Sequence, residues 1–154
     1  MGIEIERKFL IKSDEWKSLG KRKFYQQGYL LVDKNRTIRI RTVEEKGFIT
    51  IKGSGRGISR SEFEYQIPVE EARIILETLC EKPLIKKYRT KIKLNNLVWE
   101  VDEFIDENYG LVIAEVELEN ENQKIDIPSW IGDEVTGEIK YYNSMLIKNP
   151  FTNW

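Results

Sequence analysis

Histidine is absent from this chain of 154 residues, and cysteine occurs once, as Cys80. The first absence excludes catalytic triads that need histidine and metal sites with histidine ligands. A single cysteine excludes an internal disulfide or a cysteine metal cluster, and it favours a reducing, cytoplasmic location. No hydrophobic run could span a bilayer, and the charged opening MGIEIERKFL does not resemble a signal peptide. A membrane partner is therefore not expected.

Charge of one sign is not in excess either. Lys and Arg together number 25, Asp and Glu number 26, and the formal net charge is −1. This balance argues against a uniformly basic surface, so we expect no nucleic acid partner. With 40% hydrophobic and 33% charged residues, the chain has the composition of a globular protein, and its length predicts a single domain over residues 1–154.

Alternation of apolar and charged residues dominates the sequence and predicts β-strands. In Ile3-Glu4-Ile5-Glu6, for example, the two glutamates share one face of the strand and the two isoleucines share the other. About eight segments show this pattern, near residues 3–10, 25–32, 37–41, 48–52, 60–67, 87–94, 98–102 and 112–118. Strands of this number and spacing favour an antiparallel sheet or barrel.

Two further segments have the period of a helix. Residues 69–82 carry an apolar stripe that Pro83 ends, and the spacing predicts a second helix over 136–148 with Thr136 as its N-cap. A short helical turn is expected between Ser13 and Leu19. The fold class expected from these elements is α+β, an eight-stranded antiparallel β-barrel with a few flanking helices.

The charges on the strand faces are sorted by sign. Pairs of like charge lie two residues apart at Glu4/Glu6 and Arg39/Arg41, and the same sorting recurs at 87–93, 100–102 and 115–119. Each face taken alone could be an ordinary solvated surface. Repeated segregation favours another interpretation, since like charges on one face repel and need an external counter-charge. We therefore expect the charged faces to converge on a polar lumen, or tunnel, and the apolar faces to point outward.

Carboxylates without histidine or cysteine favour a hard divalent ion, Mg²⁺ or Mn²⁺, and clustered arginines and lysines favour phosphate. Together they indicate metal-assisted phosphoryl or nucleotidyl transfer.

The motif E-x-E-x-K at Glu4, Glu6 and Lys8 resembles the signature of the CYTH superfamily, also called triphosphate tunnel metalloenzymes. The resemblance continues in order through TIRIR (37–41), TIK (50–52), SRSEFE (59–64), KYR (87–89), EVD (100–102), AEVEL (114–118), EVT (134–136) and KYYN (140–143). A single E-x-E-x-K motif is weak evidence, whereas this ordered series covers nearly the whole chain. The likeness is closest to the short bacterial members with one domain.

The resemblance implies an eight-stranded tunnel that binds a triphosphate and divalent metal, and it implies roles for individual residues. Lys8 would lie beside the scissile phosphate, and Glu62 is the candidate general base. The triphosphate-binding residues would be Arg39, Arg41, Lys52, Arg60, Lys87, Arg89 and, less firmly, Lys140. The ligands of Mg²⁺ or Mn²⁺ would be Glu4, Glu6, Asp102, Glu115 and Glu117.

The activity implied is metal-dependent hydrolysis of inorganic tripolyphosphate, with nucleoside triphosphates as further substrates, by attack of a metal-activated water on the terminal phosphorus. Two other enzyme activities remain alternatives, a class IV-type adenylate cyclase and a thiamine triphosphatase. A non-catalytic polyphosphate-binding module is the alternative from another class. The expected partner is a small molecule containing a triphosphate, and the apolar outer strand faces could serve a homodimer.

Overall fold

The computed structural model describes residues 2–154, with nine strands and two short α-helices. The eight strands expected from alternation are all present, and a ninth short strand follows them. The strands are β1 (Ile3–Ile11), β2 (Arg22–Val32), β3 (Arg36–Val43), β4 (Lys46–Arg56), β5 (Ser59–Ile67), β6 (Ile85–Leu94), β7 (Leu97–Phe104), β8 (Val112–Glu117) and β9 (Ile131–Glu134). The helices are α1 (Val69–Thr78) and α2 (Asn143–Leu146).

Strands β1 to β8 form a closed antiparallel barrel. Their order around it is β5-β4-β3-β2-β6-β7-β8-β1, and pairing of β5 with β1 closes the ring. One edge of β1 pairs along most of its length with β8, while its other edge is shared between two strands. Residues 3–5 of that edge pair with β5, and residues 9–11 pair with β9. The barrel therefore closes at strand β1, and we call this closure the seam.

The outer face of the barrel carries much of the hydrophobic core, as the alternation predicts. Trp99 of β7 is fully buried there, with its ring 5.6 Å from Phe9 of β1 and 5.9 Å from Trp130. The chain covers this face with a 3₁₀ turn at Glu15–Ser18, which buries Trp16, and with the segment before β9. The turn confirms the short helical element expected between Ser13 and Leu19.

Helix α1 covers a second part of the outer face, over β3 and β4. Its buried stripe includes Ala72 and Leu76, which pack against Ile40. Gly47 permits this close approach, because a Cβ at that position would lie 2.7 Å from the Cβ of Ala72. The helix ends at Thr78 rather than near Lys82, and the Lys82 Nζ donates a hydrogen bond to the free carbonyl of Leu76 at 2.6 Å.

The prediction of one continuous helix over 136–148 is wrong. The chain forms a 3₁₀ turn at Ile139–Tyr141, becomes extended at Tyr142 and then forms the one-turn helix α2. Thr136 caps no helix, since its hydroxyl accepts a hydrogen bond from the backbone N–H of Lys8 at 2.8 Å. Among residues 2–154, no helix has the length and apolar character needed to cross a membrane.

The inner face of the barrel has a polar zone and an apolar end. At the apolar end, Ile85, Phe104 and Ile113 are buried among Leu146 and Ile147 of the C-terminal segment. These three strand residues share the inward face with Lys87, Asp102 and Glu115, respectively. The polar lumen expected from the sequence therefore occupies only part of the barrel, and the C-terminal segment closes it at the other end.

Candidate functional site

The polar zone of the barrel encloses a cavity of about 410 Å³. Charged side chains from seven strands line it, together with uncharged groups from the β4–β5 turn and the C-terminal segment. The charged lining residues are Glu4, Glu6, Lys8, Arg39, Arg41, Lys52, Arg60, Glu62, Glu64, Lys87, Arg89, Lys91, Glu100, Glu115 and Glu117. The cavity therefore brings together nearly all the residues that the sequence assigns to a site.

One wall of the cavity is basic, and we call Arg39, Arg41, Lys87 and Arg89 the basic wall. The first two belong to β3 and the others to β6, with β2 between these strands. Tyr25 of β2 separates the two pairs, its ring centroid lying 5.3 Å from the Arg41 guanidinium carbon and 4.9 Å from that of Arg89. Such stacking stabilises cations that are withdrawn from water.

Asp102 neutralises the β6 half of the basic wall. It lies opposite Arg89 in the β6–β7 register and accepts hydrogen bonds from its Nε at 2.7 Å and its Nη2 at 2.9 Å. The Lys87 Nζ lies 2.8 Å from the same carboxylate, and both Asp102 and Lys87 have only 1% of their side chains exposed. This is a buried ion-pair triad of two cations and one anion, so removal of the Asp102 charge would leave two buried cations that lack their shared partner.

Burial lowers the pKa of Lys87 to about 8, although the charge of Asp102 opposes this shift. Burial also lowers the pKa of Arg41, to about 10, with further contributions from the charges of Arg39 and Arg89. The wall is thus a set of cations held closer together than they would lie in water. An anion in the cavity would relieve that repulsion.

Glu64 neutralises the β3 half of the basic wall. Its Oε1 lies 3.4 Å from the Nη2 of Arg39 and 3.3 Å from the Nη2 of Arg41, and it accepts a hydrogen bond from Thr50 at 2.6 Å. Partial burial raises the pKa of Glu64, but the Thr50 hydrogen bond and the two arginine charges outweigh it, and the net shift is downward.

The opposite wall is acidic, and we call Glu4, Glu6, Glu115 and Glu117 the acidic wall. Glu6 of β1 lies directly across from Glu117 of β8, and Glu115 lies directly across from Glu100 of β7. Like charges in directly opposed positions destabilise a sheet. Among the side chains that the structure describes, no salt bridge reaches Glu6 or Glu117, whereas Glu4 lies 3.1 Å from the Lys52 Nζ.

The pKa values show which acidic groups lack compensation. Burial raises the pKa of Glu6 well above its ordinary value, and the charges of Glu115 and Glu4 add to the rise. Burial also tends to raise the pKa of Glu115, but Lys8, Arg89 and Lys87 reverse this effect, so its net shift is strongly downward. A cation between the carboxyl groups of Glu6 and Glu115 would allow both to ionise fully.

This wall fits a hard divalent cation by its chemistry. Its donors are all carboxylate oxygens, and three of its four residues oppose a like charge across the sheet. Within residues 2–154, no three carboxylates stand close enough to form a complete cage. Mg²⁺ does not require one, because it is usually bound by one or two carboxylates together with substrate phosphate oxygens.

Lys8 and Lys52 connect the two walls. The Lys8 Nζ lies 3.8 Å from Glu115, and 5.2 Å from the ring centroid of Tyr142. Burial lowers the pKa of Lys8, yet Glu115 and Glu6 outweigh this effect and raise it overall, so the side chain stays cationic. The Lys52 Nζ bridges Glu4 and Glu62, at 3.1 and 3.4 Å.

Two residues of the predicted site lie apart from the cavity. Asp102 was expected among the metal ligands, but in the structure its carboxylate contacts Lys87 and Arg89. Lys140 was expected at the triphosphate, but it is exposed, with its Nζ 4.6 Å from the ring centroid of Trp154. Neither belongs to the cavity lining.

Sequence reasoning missed uncharged residues that shape the cavity. Tyr142 and Asn143 form its floor, and Tyr29 and Thr136 also line it. The Asn143 Oδ1 accepts a hydrogen bond from the Lys87 Nζ at 3.0 Å. Strand parity placed Thr50 beside Lys52 on the charged face, so a signal existed for Thr50. Tyr142 lies in the KYYN segment of the resemblance, but the helix predicted over 136–148 gave no reason to place its ring in the cavity.

Comparison with known proteins adds independent evidence. The chain is 54% identical over 154 residues to an inorganic triphosphatase of Acetivibrio thermocellus, covering 100% of this chain and 99% of that protein. It is 33% identical over 150 residues to an inorganic triphosphatase of Nitrosomonas europaea, covering 93% and 95%. A crystal structure of an inorganic triphosphatase superposes with a TM-score of 0.63 at 30% identity, covering 93% of this chain and 96% of that one.

The description of the matching family is the CYTH domain, and the match covers residues 2–145. This range contains all nine strands and the whole lining of the cavity. The resemblance given by the E-x-E-x-K motif is therefore confirmed over the full barrel, and the chain belongs to the CYTH family.

Proposed function

We propose that the protein is a divalent-metal-dependent triphosphatase that hydrolyses inorganic tripolyphosphate. The observation that carries this proposal is the cavity itself, in which a basic wall and an acidic wall face each other inside one barrel. A binder of anions alone would have no use for the opposed carboxylates Glu6 and Glu117. The inorganic triphosphatases that are 54% and 33% identical to the chain support the same substrate.

The basic wall would grip the phosphate oxygens. Arginine guanidiniums bind phosphate through paired donors, and lysines act as point charges. Lys52 and Arg60 would extend this grip on the β4–β5 side of the cavity. We leave Lys140 out of the binding set, because its contact with Trp154 holds it outside the lining.

Glu4, Glu6, Glu115 and Glu117 would hold Mg²⁺ or Mn²⁺. When bound, such an ion neutralises phosphate charge and lowers the pKa of a coordinated water. We leave Asp102 out of the ligand set and propose instead that it orients Lys87 and Arg89.

Hydrolysis forms a bond from a water oxygen to the terminal phosphorus and breaks the adjacent bridging bond, releasing orthophosphate and pyrophosphate. Lys8, which its acidic neighbours keep protonated, is placed to stabilise the negative charge that develops on phosphate oxygens. Glu62 remains our candidate to accept the proton from water. The Lys52 Nζ contacts both Glu62 and Glu4, so Glu62 lies at the border of the acidic wall.

The test is phosphate release from tripolyphosphate, ATP and thiamine triphosphate in parallel, each with Mg²⁺, Mn²⁺ or EDTA. We expect metal-dependent release that is fastest with tripolyphosphate. Formation of cyclic AMP from ATP in preference would favour a cyclase, and faster release from thiamine triphosphate would favour that substrate. Tripolyphosphate binding without release from any substrate would make the protein a polyphosphate-binding module.

The homodimer and the cytoplasmic location remain predictions. Ile51, Phe63 and Tyr65 are exposed on the outer faces of β4 and β5 and form an apolar surface that a second copy could cover.

A further inference from the structure

Glu64 is a carboxylate on the wrong side of the cavity for a metal ligand. It lies in β5 at the end of a row of inward-facing residues that runs across three strands, with Arg39 opposite Thr50 and Thr50 opposite Glu64. Its neighbours in this row are a cation and a hydroxyl donor, whereas the acidic wall lies on β1 and β8. A lone carboxylate here would repel a triphosphate, so its presence needs a physical reason.

The contacts of Glu64 supply that reason. Its Oε1 receives the Nη2 atoms of both Arg39 and Arg41, at 3.4 and 3.3 Å. Thr50 donates to the same oxygen at 2.6 Å and accepts from the Arg39 Nη2 at 3.1 Å. The Glu64 Oε1 therefore holds one edge of each guanidinium, and the Thr50 hydroxyl holds the Glu64 carboxylate in place.

Nothing else ties these guanidiniums by a hydrogen bond among the described residues. The Nε atoms of Arg39 and Arg41 are buried without a partner, and only 11% and 14% of the two side chains is exposed. Two buried cations side by side repel each other, and without a shared anion they would separate or change rotamer. The position of both arginines before any ligand arrives therefore depends on Glu64.

We propose that Glu64 is a positioning residue that holds Arg39 and Arg41 in the arrangement that receives the triphosphate. This inference rests on the proposed function. Thr50 acts in the same unit by orienting the Glu64 carboxylate. Neither residue has to touch the phosphates, because preorganised donors bind an anion with less loss of conformational freedom.

Removal of the Glu64 charge should change the KM for tripolyphosphate in the direction opposite to the one that simple electrostatics predicts. If Glu64 only lined the cavity, removal of its charge would attract a polyanion more strongly and lower KM. If it positions the arginines, its removal raises KM even though the cavity becomes more positive. The sign of the change therefore separates the two roles.

Three variants test this. Glu64→Gln keeps the length of the side chain and removes its charge, while Glu64→Asp keeps the charge and withdraws it by one methylene. For both we expect the KM for tripolyphosphate to rise about tenfold, with kcat changed less than about threefold, since an interaction equal in ground and transition states alters KM alone. Thr50→Val removes the donor to Glu64 and should shift KM in the same direction by a smaller factor. Gln66→Ala, two residues along the same inward face and outside the cavity lining, is the control.

A binding measurement makes the test independent of turnover. Calorimetric titration with tripolyphosphate in EDTA should show weaker binding to Glu64→Gln and Glu64→Asp than to the wild type, and unchanged binding to Gln66→Ala. An unchanged or lowered KM in Glu64→Gln, or unchanged metal-free binding, would overturn the inference while leaving the wild-type activity intact. If Glu64→Gln fails to fold, Thr50→Val decides by the same two measurements. A wild type that neither binds nor hydrolyses tripolyphosphate would instead overturn the proposed function.

Discussion

The two walls of the cavity differ in how their charges are compensated. Each half of the basic wall has its own carboxylate, Asp102 on the β6 side and Glu64 on the β3 side. The acidic wall has Lys8 and Lys52 at its edges, but Glu6 and Glu117 oppose each other with no salt bridge among the described side chains. The basic wall is thus paired with carboxylates of the protein itself, whereas the acidic wall keeps two carboxylates that have no such partner within the described part of the chain.

Because of this difference, we expect the two walls to respond differently to mutation. Removing the charge of Glu6 or Glu117, which have no salt bridge among the described side chains, relieves repulsion in the metal-free protein and should harm only function. Removing a charge from the basic wall or from its carboxylates breaks an ion pair and harms stability as well.

The largest effect should come from Glu6→Gln. We expect metal-dependent phosphate release to fall by about a thousandfold, because a bound metal ion supplies several kcal/mol of charge stabilisation. The melting temperature of the metal-free variant should equal or exceed that of the wild type, since the pKa of Glu6 is raised by burial and by neighbouring carboxylates. Phosphate release and thermal unfolding in EDTA check the two parts. Full activity of Glu6→Gln would show that Glu6 is not needed for metal-dependent hydrolysis.

Asp102→Asn tests the stability of the basic wall. We expect a loss of about 3 kcal/mol in the free energy of unfolding, because Lys87 would stay buried without a counter-charge and Arg89 would keep only its contact with Glu100 at 3.2 Å. Urea unfolding measures this loss. Glu103→Gln, the next residue on the opposite face of β7, is the matched control and should change stability little. Equal stability of the two variants would contradict the triad as the organising element of the basic wall.

The pH dependence of binding tests the basic wall by removing a charge while leaving every side chain in place. Burial lowers the pKa of Lys87 to about 8, so this lysine loses its proton at a lower pH than an exposed lysine does. Metal-free binding of tripolyphosphate should weaken by up to about tenfold near pH 9, where the cation must be formed at a cost on binding. The ratio of wild-type to Lys87→Met affinity cancels the titration of the triphosphate itself. A ratio that does not change with pH would show that Lys87 stays charged throughout.

The smallest effect should come from Lys140→Ala. Because its ammonium group lies over Trp154 outside the cavity, we expect the KM for tripolyphosphate to change less than about twofold, as for an exposed charge. Steady-state kinetics provide the measurement. A large rise in KM would place Lys140 in the basic wall when substrate is bound.

The barrel could be predicted from the sequence because alternation with period two is a local property. It identified eight strands and the face on which each charge lies, and the resemblance assigned most of the cavity lining. Strand β9 escaped notice because Ile131–Glu134 is only four residues long. The broken C-terminal helix was missed because Tyr142 is extended where its ring enters the cavity beside Lys8, which is a tertiary contact that helical periodicity does not encode.

Pairing across strands could not be predicted either. Parity places Asp102 and Glu115 on the inward face alike, and both were expected to bind metal. The register then sets Asp102 opposite Arg89 and Glu115 opposite Lys8, which gives one a full set of hydrogen bonds and leaves the other on the cavity surface. The functional difference between two similar acids is decided by which neighbour each meets.

The seam at β1 has a consequence for the order in which the molecule assembles. The strand that carries Glu4, Glu6 and Lys8 comes first in the chain, yet it pairs only with β5, β8 and β9, and the earliest of these begins at Ser59. Contacts of such long sequence separation form slowly, because the intervening chain must first be ordered. The acidic wall can therefore form only after the chain has been made through Glu117, the last residue of β8. A chain that ends before β8 has the glutamates of β1 but lacks Glu115 and Glu117, so its acidic wall is incomplete.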